Sequence, residues 1–181
     1  GAALALFLIY ALMAIPLRSY AQPLIIMSVI PFGIIGALFG HWLLDLPVSM
    51  ASYFGIIALA GVVVNDSLIL VDFINKERRE GIPLKQAVMD GARVRFRPIL
   101  LTSLTTFLGL VPITLFEKSL QAQFLVPMAA SLAFGIVFAT VITLILIPSL
   151  YLILDDFKDW WRNAWAHVLR KRGKSAQTSE V

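Results

Sequence analysis

The sequence predicts an all-α, polytopic membrane protein with five membrane helices, and three observations predict it. Of 181 residues, 59% are hydrophobic and only 14% charged, with a mean hydropathy of +0.86; soluble chains hold about 45 to 50% apolar and about 25% charged residues. The apolar residues gather in five runs, each near the roughly 20 helical residues that cross a bilayer core of about 30 Å. The basic residues alternate in abundance between those runs. A water-soluble enzyme is excluded by this composition, and so is disorder over most of the chain, because disordered segments lack the aliphatic and aromatic residues that abound here. With no cysteine, there is no disulfide framework, thiolate metal site or cysteine nucleophile.

Run one, residues 1–16, stops at Pro16 and is short by several residues. Gly1 is neither an initiator Met nor a helix cap, so the chain is expected to begin inside a helix, with sequence upstream. Run two covers 24–46 behind Pro23, and run three covers 50–73, interrupted by Asn65 and Asp66. Between runs three and four, Leu84, Ala87, Val88 and Ala92 recur at helical spacing beside Lys85, Gln86 and Asp90, with Pro83 suited to a first helical position. That pattern predicts a short amphipathic helix over 83–94, lying along the membrane surface. Run four, 99–116, is entered through Pro98. Run five, 124–154, exceeds the core thickness and is expected to tilt or project. After it, Phe157, Trp161, Ala164, Trp165 and Val168 share a face, predicting an interfacial amphipathic helix over 155–170 with its tryptophans at headgroup level. The polar stretch 171–181 is expected to be disordered. No run has the basic n-region and cleavage site of a signal peptide.

The basic residues give a direction. Arg18 lies between runs one and two, and no Lys or Arg lies between two and three. Seven lie between three and four (Lys76, Arg78, Arg79, Lys85, Arg93, Arg95, Arg97), Lys118 lies between four and five, and six follow run five (Lys158, Arg162, Arg170, Lys171, Arg172, Lys174). Fourteen therefore fall on one side and one on the other. By the positive-inside rule the C-terminus is cytoplasmic. The excess of basic residues, with a net charge of +4, thus reports membrane orientation and not a nucleic-acid partner.

Helices in lipid associate through close packing of small residues and through buried polar contacts. Run two carries Gly36 and Gly40 at GxxxG spacing. Run five carries Ser131, Gly135, Ala139 and Thr143 at strict four-residue spacing, and both stripes predict helix–helix seams.

Asp66 is the most informative residue. Three residues beyond the middle of run three, it lies about 4.5 Å from the midplane. A carboxylate there costs roughly 2.5 to 3.5 kcal/mol on the mild insertion scale, so it should face protein or water. Two readings follow: a carboxyl group that takes up and releases protons, or an Asn65–Asp66 pair that only hydrogen-bonds neighbouring helices. Thr102, Thr105, Thr106 and Gly109 form a small, polar stripe on run four that is a candidate to face Asp66, and Arg95 and Arg97 precede it. Arg97 reads as an interfacial snorkelling residue, Asp72 as structural, and His41 and Asp45 as interfacial at the outer boundary. No paired metal-ligand motif is present and the two histidines stand at opposite ends of the chain, so no cofactor is expected.

At these residues the sequence resembles the resistance-nodulation-division (RND) transporters, in particular the hydrophobe/amphiphile efflux branch with the acriflavine-resistance multidrug pumps. Three stretches carry the resemblance: VIPFGIIGALFG (29–40), GIIALAGVVVNDSLILVDFIN (55–75) and ARVRFRPILLTSLTTFLGLVPI (92–113). The resemblance implies the last five of twelve membrane helices of a longer pump subunit in the bacterial inner membrane. It also implies proton antiport, export of drugs or other amphiphiles, a homotrimer, and partnership with a periplasmic adaptor and an outer-membrane channel. Family members carry a membrane relay of two aspartates on the fourth helix, a lysine on the tenth, and an arginine and a threonine on the eleventh. Arg95 and Thr102 fall on the last two positions, whereas Asn65, followed by Asp66, stands where the lysine is usual. The resemblance thus implies that Asp66, Asn65, Arg95 and Thr102 form one wall of a proton path. The alternatives are a small helical membrane scaffold or assembly subunit, or an RND-superfamily exporter of lipids or other substrates.

Overall fold

The computed structural model describes the backbone of residues 1–117, 119 and 122–177, and the side chains of those residues up to 157 except Ala2 and Ala122. The described residues form six α-helices and one 3-10 turn. Helix α1 (Ala2–Leu17) is 16 residues long, shorter than a membrane crossing, and ends where Arg18 turns left-handed at φ 48°. Four segments are long and apolar enough to cross a membrane.

The first is bent. Where run two predicts one helix, the chain forms α2 (Ala21–Met27) and α3 (Ile30–Leu43). Pro31 lacks the amide hydrogen that would bond Met27, and the turn tightens locally, with Val29 N–H donating to the Ile26 carbonyl at 3.3 Å.

Helix α4 (Met50–Arg79) begins with a capping box, in which the Ser49 hydroxyl accepts from the Ser52 amide and the Ser52 hydroxyl from the Ser49 amide. Its far end is closed by Gly81 at φ 88°. There the Ile82 amide reaches the Glu77 carbonyl at 3.2 Å and the Gly81 amide reaches Arg78 at 3.2 Å, a Schellman closure that favours glycine at the left-handed position. Run three therefore extends beyond residue 73 through Lys76, Arg78 and Arg79, basic residues suited to a helix C-terminus.

Two expected boundaries are replaced by continuous helix. The linker helix over 83–94 and run four are one element, α5 (Leu84–Leu115), which passes through Pro98. A proline costs its own amide bond, but a membrane helix tolerates that loss. Likewise run five and the helix after it are one element, α6 (Leu125–Gln177), preceded by the turn Ala122–Phe124. Residues 171–177, expected to be disordered, continue α6. The apolar face expected over 155–170 rests mostly on side chains outside the described residues, as do positions 178–181.

Helix α6 is the hub, packing against α3, α4 and α5. A methyl group on Gly36 would overlap Phe138 Cβ, and one on Gly40 would lie 2.5 Å from Phe134 Cβ and Cγ. One on Gly135 would overlap Leu59 and lie 3.1 Å from the Gly33 carbonyl. Ser131, Ala139 and Thr143 are buried on the same face. Small residues thus let α3, α4 and α6 approach to backbone contact, which is where dispersion replaces the hydrophobic effect as the cohesive force in lipid.

The helix ends sort by charge. Arg18 after α1 and Arg78 and Arg79 at the end of α4 line one hollow, and Arg78 pairs with Asp155 of α6 at 3.5 Å.

Candidate functional site

Asp66 occupies the middle of α4, between a buried row and an exposed one. Val63, Val64, Ser67, Leu70 and Val71 turn into the bundle, while Gly61, Asn65, Ile69 and Asp72 turn outward. Asp66 is half-buried between them and Asn65 is exposed. No hydrogen bond or ion pair is made by either side chain among the described residues. A polar pair in the middle of an apolar membrane helix is stable only if protein or a water-filled space covers that face.

The other two candidates sit on α5, antiparallel to α4. The helices meet where Gly91 admits Ile74 and Phe73, to within 3.0 Å and 3.3 Å of a methyl group placed there. One turn further, the Arg95 guanidinium carbon stands 5.2 Å from the centre of the Phe73 ring. Its Nε is buried and has no hydrogen-bond partner among the described residues. Phe73 and Asp66 are seven residues apart, so Arg95 docks about two turns from the carboxyl group, roughly 10 Å along α4.

Thr102 is exposed, and its hydroxyl donates to the Pro98 carbonyl at 3.0 Å. Thr105 and Thr106 also bond back to their own helix, to Thr102 O at 2.9 Å each. The structure therefore ties Arg95 to α4 but joins none of Asp66, Asn65, Arg95 and Thr102 by a hydrogen bond. What the arrangement provides is a half-buried acid and an exposed amide on α4, and hydroxyls on α5 of which Thr102 and Thr105 are exposed.

Two polar clusters escaped the sequence. His41, in the last turn of α3, is buried at 3% exposure; its Nδ1 lies 2.9 Å from the Ala37 carbonyl and its Nε2 2.7 Å from the Ser52 hydroxyl. The other joins three helices: Gln22 of α2 and Asn75 of α4 exchange amide bonds of 3.0 and 2.9 Å. The Tyr151 hydroxyl of α6 accepts from Gln22 and donates to Asn75. Half-buried amides at the ends of apolar runs need partners, but the three residues are more than fifty positions apart. Among the described residues, no group of three or more His, Cys, Asp or Glu side chains is placed to hold a metal ion.

The chain matches the AcrB/AcrD/AcrF family over residues 2–155, and so over nearly all the residues just described. The chain belongs to that family. It is an RND efflux family, and all three stretches quoted above lie inside the match. A multidrug resistance protein MdtC from Erwinia amylovora is 32% identical over 157 residues, 85% of this chain and 15% of that protein. A cobalt-zinc-cadmium resistance protein CzcA from Cupriavidus metallidurans is 35% identical over 147 residues, covering 81% and 14%. The crystal structure of a heavy metal efflux pump superposes with a TM-score of 0.72 at 30% identity, over 85% of this chain and 15% of that one. The chain thus spans about 15% of the length of these relatives. Multidrug and metal members match the same helices, so these residues define the family and not the acriflavine-type branch.

Proposed function

We propose that the chain forms part of the membrane domain of an RND efflux permease, a proton antiporter of the bacterial inner membrane with its C-terminus in the cytoplasm. In this reading it exports drugs or other amphiphiles and works as a homotrimer with a periplasmic adaptor and an outer-membrane channel. Asp66 and Asn65 of α4, with Arg95 and Thr102 of α5, form one wall of its proton path.

One observation carries the relay reading: a carboxyl group with no hydrogen-bond or ion-pair partner among the described residues, at the middle of a membrane helix and beside an exposed amide. An ionisable side chain at that position must face protein or water and marks a candidate proton relay. Asn65 and Thr102 are exposed on this chain and, in this reading, would be covered by further helices of a subunit several times longer. Arg95, held at Phe73, sets a positive charge about two turns away along α4. A second reading, export of divalent metal ions, is favoured by the 35% identity to CzcA.

The test uses the full-length transporter that carries these residues, in cells lacking other efflux pumps. Asp66→Asn is expected to abolish energised dye export at unchanged expression. Undiminished export would remove Asp66 from the relay. Growth in zinc, cobalt or cadmium separates the substrates: protection against metal and not against dyes would establish the second reading.

A further inference from the structure

Two hollows share Arg18 in their lining. One is a groove of about 560 Å³ along α1, lined by Phe7, Tyr10, Ala11, Ala14 and Ile15 and ending at Arg18 and Tyr20. The Tyr10 hydroxyl donates to the Tyr20 carbonyl at 3.2 Å and fixes its closed end. The other, about 370 Å³, is lined by Leu17, Arg18, Asn75, Arg78 and Arg79. Among the described residues, no Asp or Glu lines either hollow. Arg78 is shared with Asp155 at 3.5 Å, whereas Arg18 and Arg79 make no ion pair among the described residues.

We propose that this joined cavity holds an anionic phospholipid, its phosphate among Arg18, Arg79 and Arg78 and one acyl chain in the groove along α1. Basic hollows between membrane helices at the end of a bundle are suited to such headgroups, since guanidinium groups bond phosphate oxygens in pairs. The proportions agree. From Phe7 to Arg18 is eleven residues of helix, about 16 Å, which matches one leaflet, half of a core of about 30 Å. The groove opens beside Leu8, Leu12 and Ile15, which are exposed on the outer face of α1 and face the bilayer if α1 is embedded. A soluble phosphate would satisfy the arginines and leave the apolar groove empty. The left-handed turn at Arg18 is what carries its side chain from the groove's end to the neighbourhood of Arg78 and Arg79. The site lies away from Asp66 and Thr102, so it does not depend on the proton-relay reading.

The full-length protein, purified in detergent and stripped of lipid, would be titrated with dioleoyl phosphatidylglycerol, with dioleoyl phosphatidylcholine, or with inorganic phosphate, and bound species read by native mass spectrometry. Phosphatidylglycerol is expected to be retained roughly tenfold more tightly than phosphatidylcholine of the same chains. The double substitution Arg18→Ala with Arg79→Ala should erase that preference. Ala14→Trp, which fills the groove and spares the arginines, should lower retention of phosphatidylglycerol as well. Equal retention of the two lipids by the unaltered protein, a result that needs no variant, would overturn the proposal. So would displacement of phosphatidylglycerol by millimolar inorganic phosphate, which would assign the arginines to a soluble anion, or full retention by Ala14→Trp.

Discussion

The guanidinium of Arg95 lies over the ring of Phe73, its carbon 5.2 Å from the ring centre. The pair crosses from α5 to α4 beside the point where Gly91 lets the two backbones close. It holds the arginine at a set height on α4 without a carboxylate partner.

Removing the aromatic face should therefore release Arg95. Phe73→Leu is expected to destabilise the protein by about 0.5 to 2 kcal/mol, whereas Phe73→Trp, with a stronger π face, should not. Thermal unfolding of both variants in detergent decides; equal loss in the two would mean that volume and not the cation accounts for the contact.

Glycines in this bundle should respond to alanine in opposite ways. At Gly55 a methyl group would run into the Met128 carbonyl and lie 2.8 Å from Ser131 Cβ, whereas Gly61 has nothing within 4 Å. Backbone cannot step aside, so Gly55→Ala should cost about 1 to 3 kcal/mol. Gly61→Ala in the 181-residue chain should be neutral or gain up to about 1 kcal/mol from helix propensity. Melting temperatures of the two variants give the comparison.

Ser52 serves both the cap of α4 and the buried His41. Ser52→Ala should remove the capping contact and leave His41 Nε2 unsatisfied, a loss of about 1 to 3 kcal/mol. His41→Leu in the Ser52→Ala background should cost little more. A double-mutant cycle on thermal stability measures that coupling, and strictly additive effects would contradict it.

In the three-helix cluster, Gln22 and Asn75 bond each other twice, while Tyr151 adds a single hydroxyl. Tyr151→Phe should cost about 1 kcal/mol, and Asn75→Ala more, because it removes the partners of the Gln22 side-chain carbonyl and of the Tyr151 hydroxyl hydrogen and leaves only the Gln22–Tyr151 bond. Amide exchange at the α2–α4 contact is the direct readout.

Much of this was legible. Apolar runs and the spacing of Ser131, Gly135 and Ala139 point to helices and a seam, because both follow from local periodicity. The knob that fills the seam, Leu59, was not, since any of several leucines fits the pattern and only the helix crossing selects one. Proline was the weakest guide. Pro31 interrupts its helix while Pro98 does not, a difference set by surrounding contacts and not by the residue itself. His41 looked interfacial by position, but Ser52, eleven residues on, gives its ring a partner inside the bundle. At the relay, residue types were readable and their alignment was not: the hydroxyl of Thr102 turns to Pro98 on its own helix.

Pro98 divides α5 between two masters. Below it, Gly91 grips α4; above it, the Ser103 hydroxyl bonds Thr140 of α6. The residue between them lacks one rung of the ladder, so flexure is cheapest there. If α4 and α6 slide past each other, the strain collects at one elbow, and the arm beyond it swings as a unit while the rest of the chain keeps its packing.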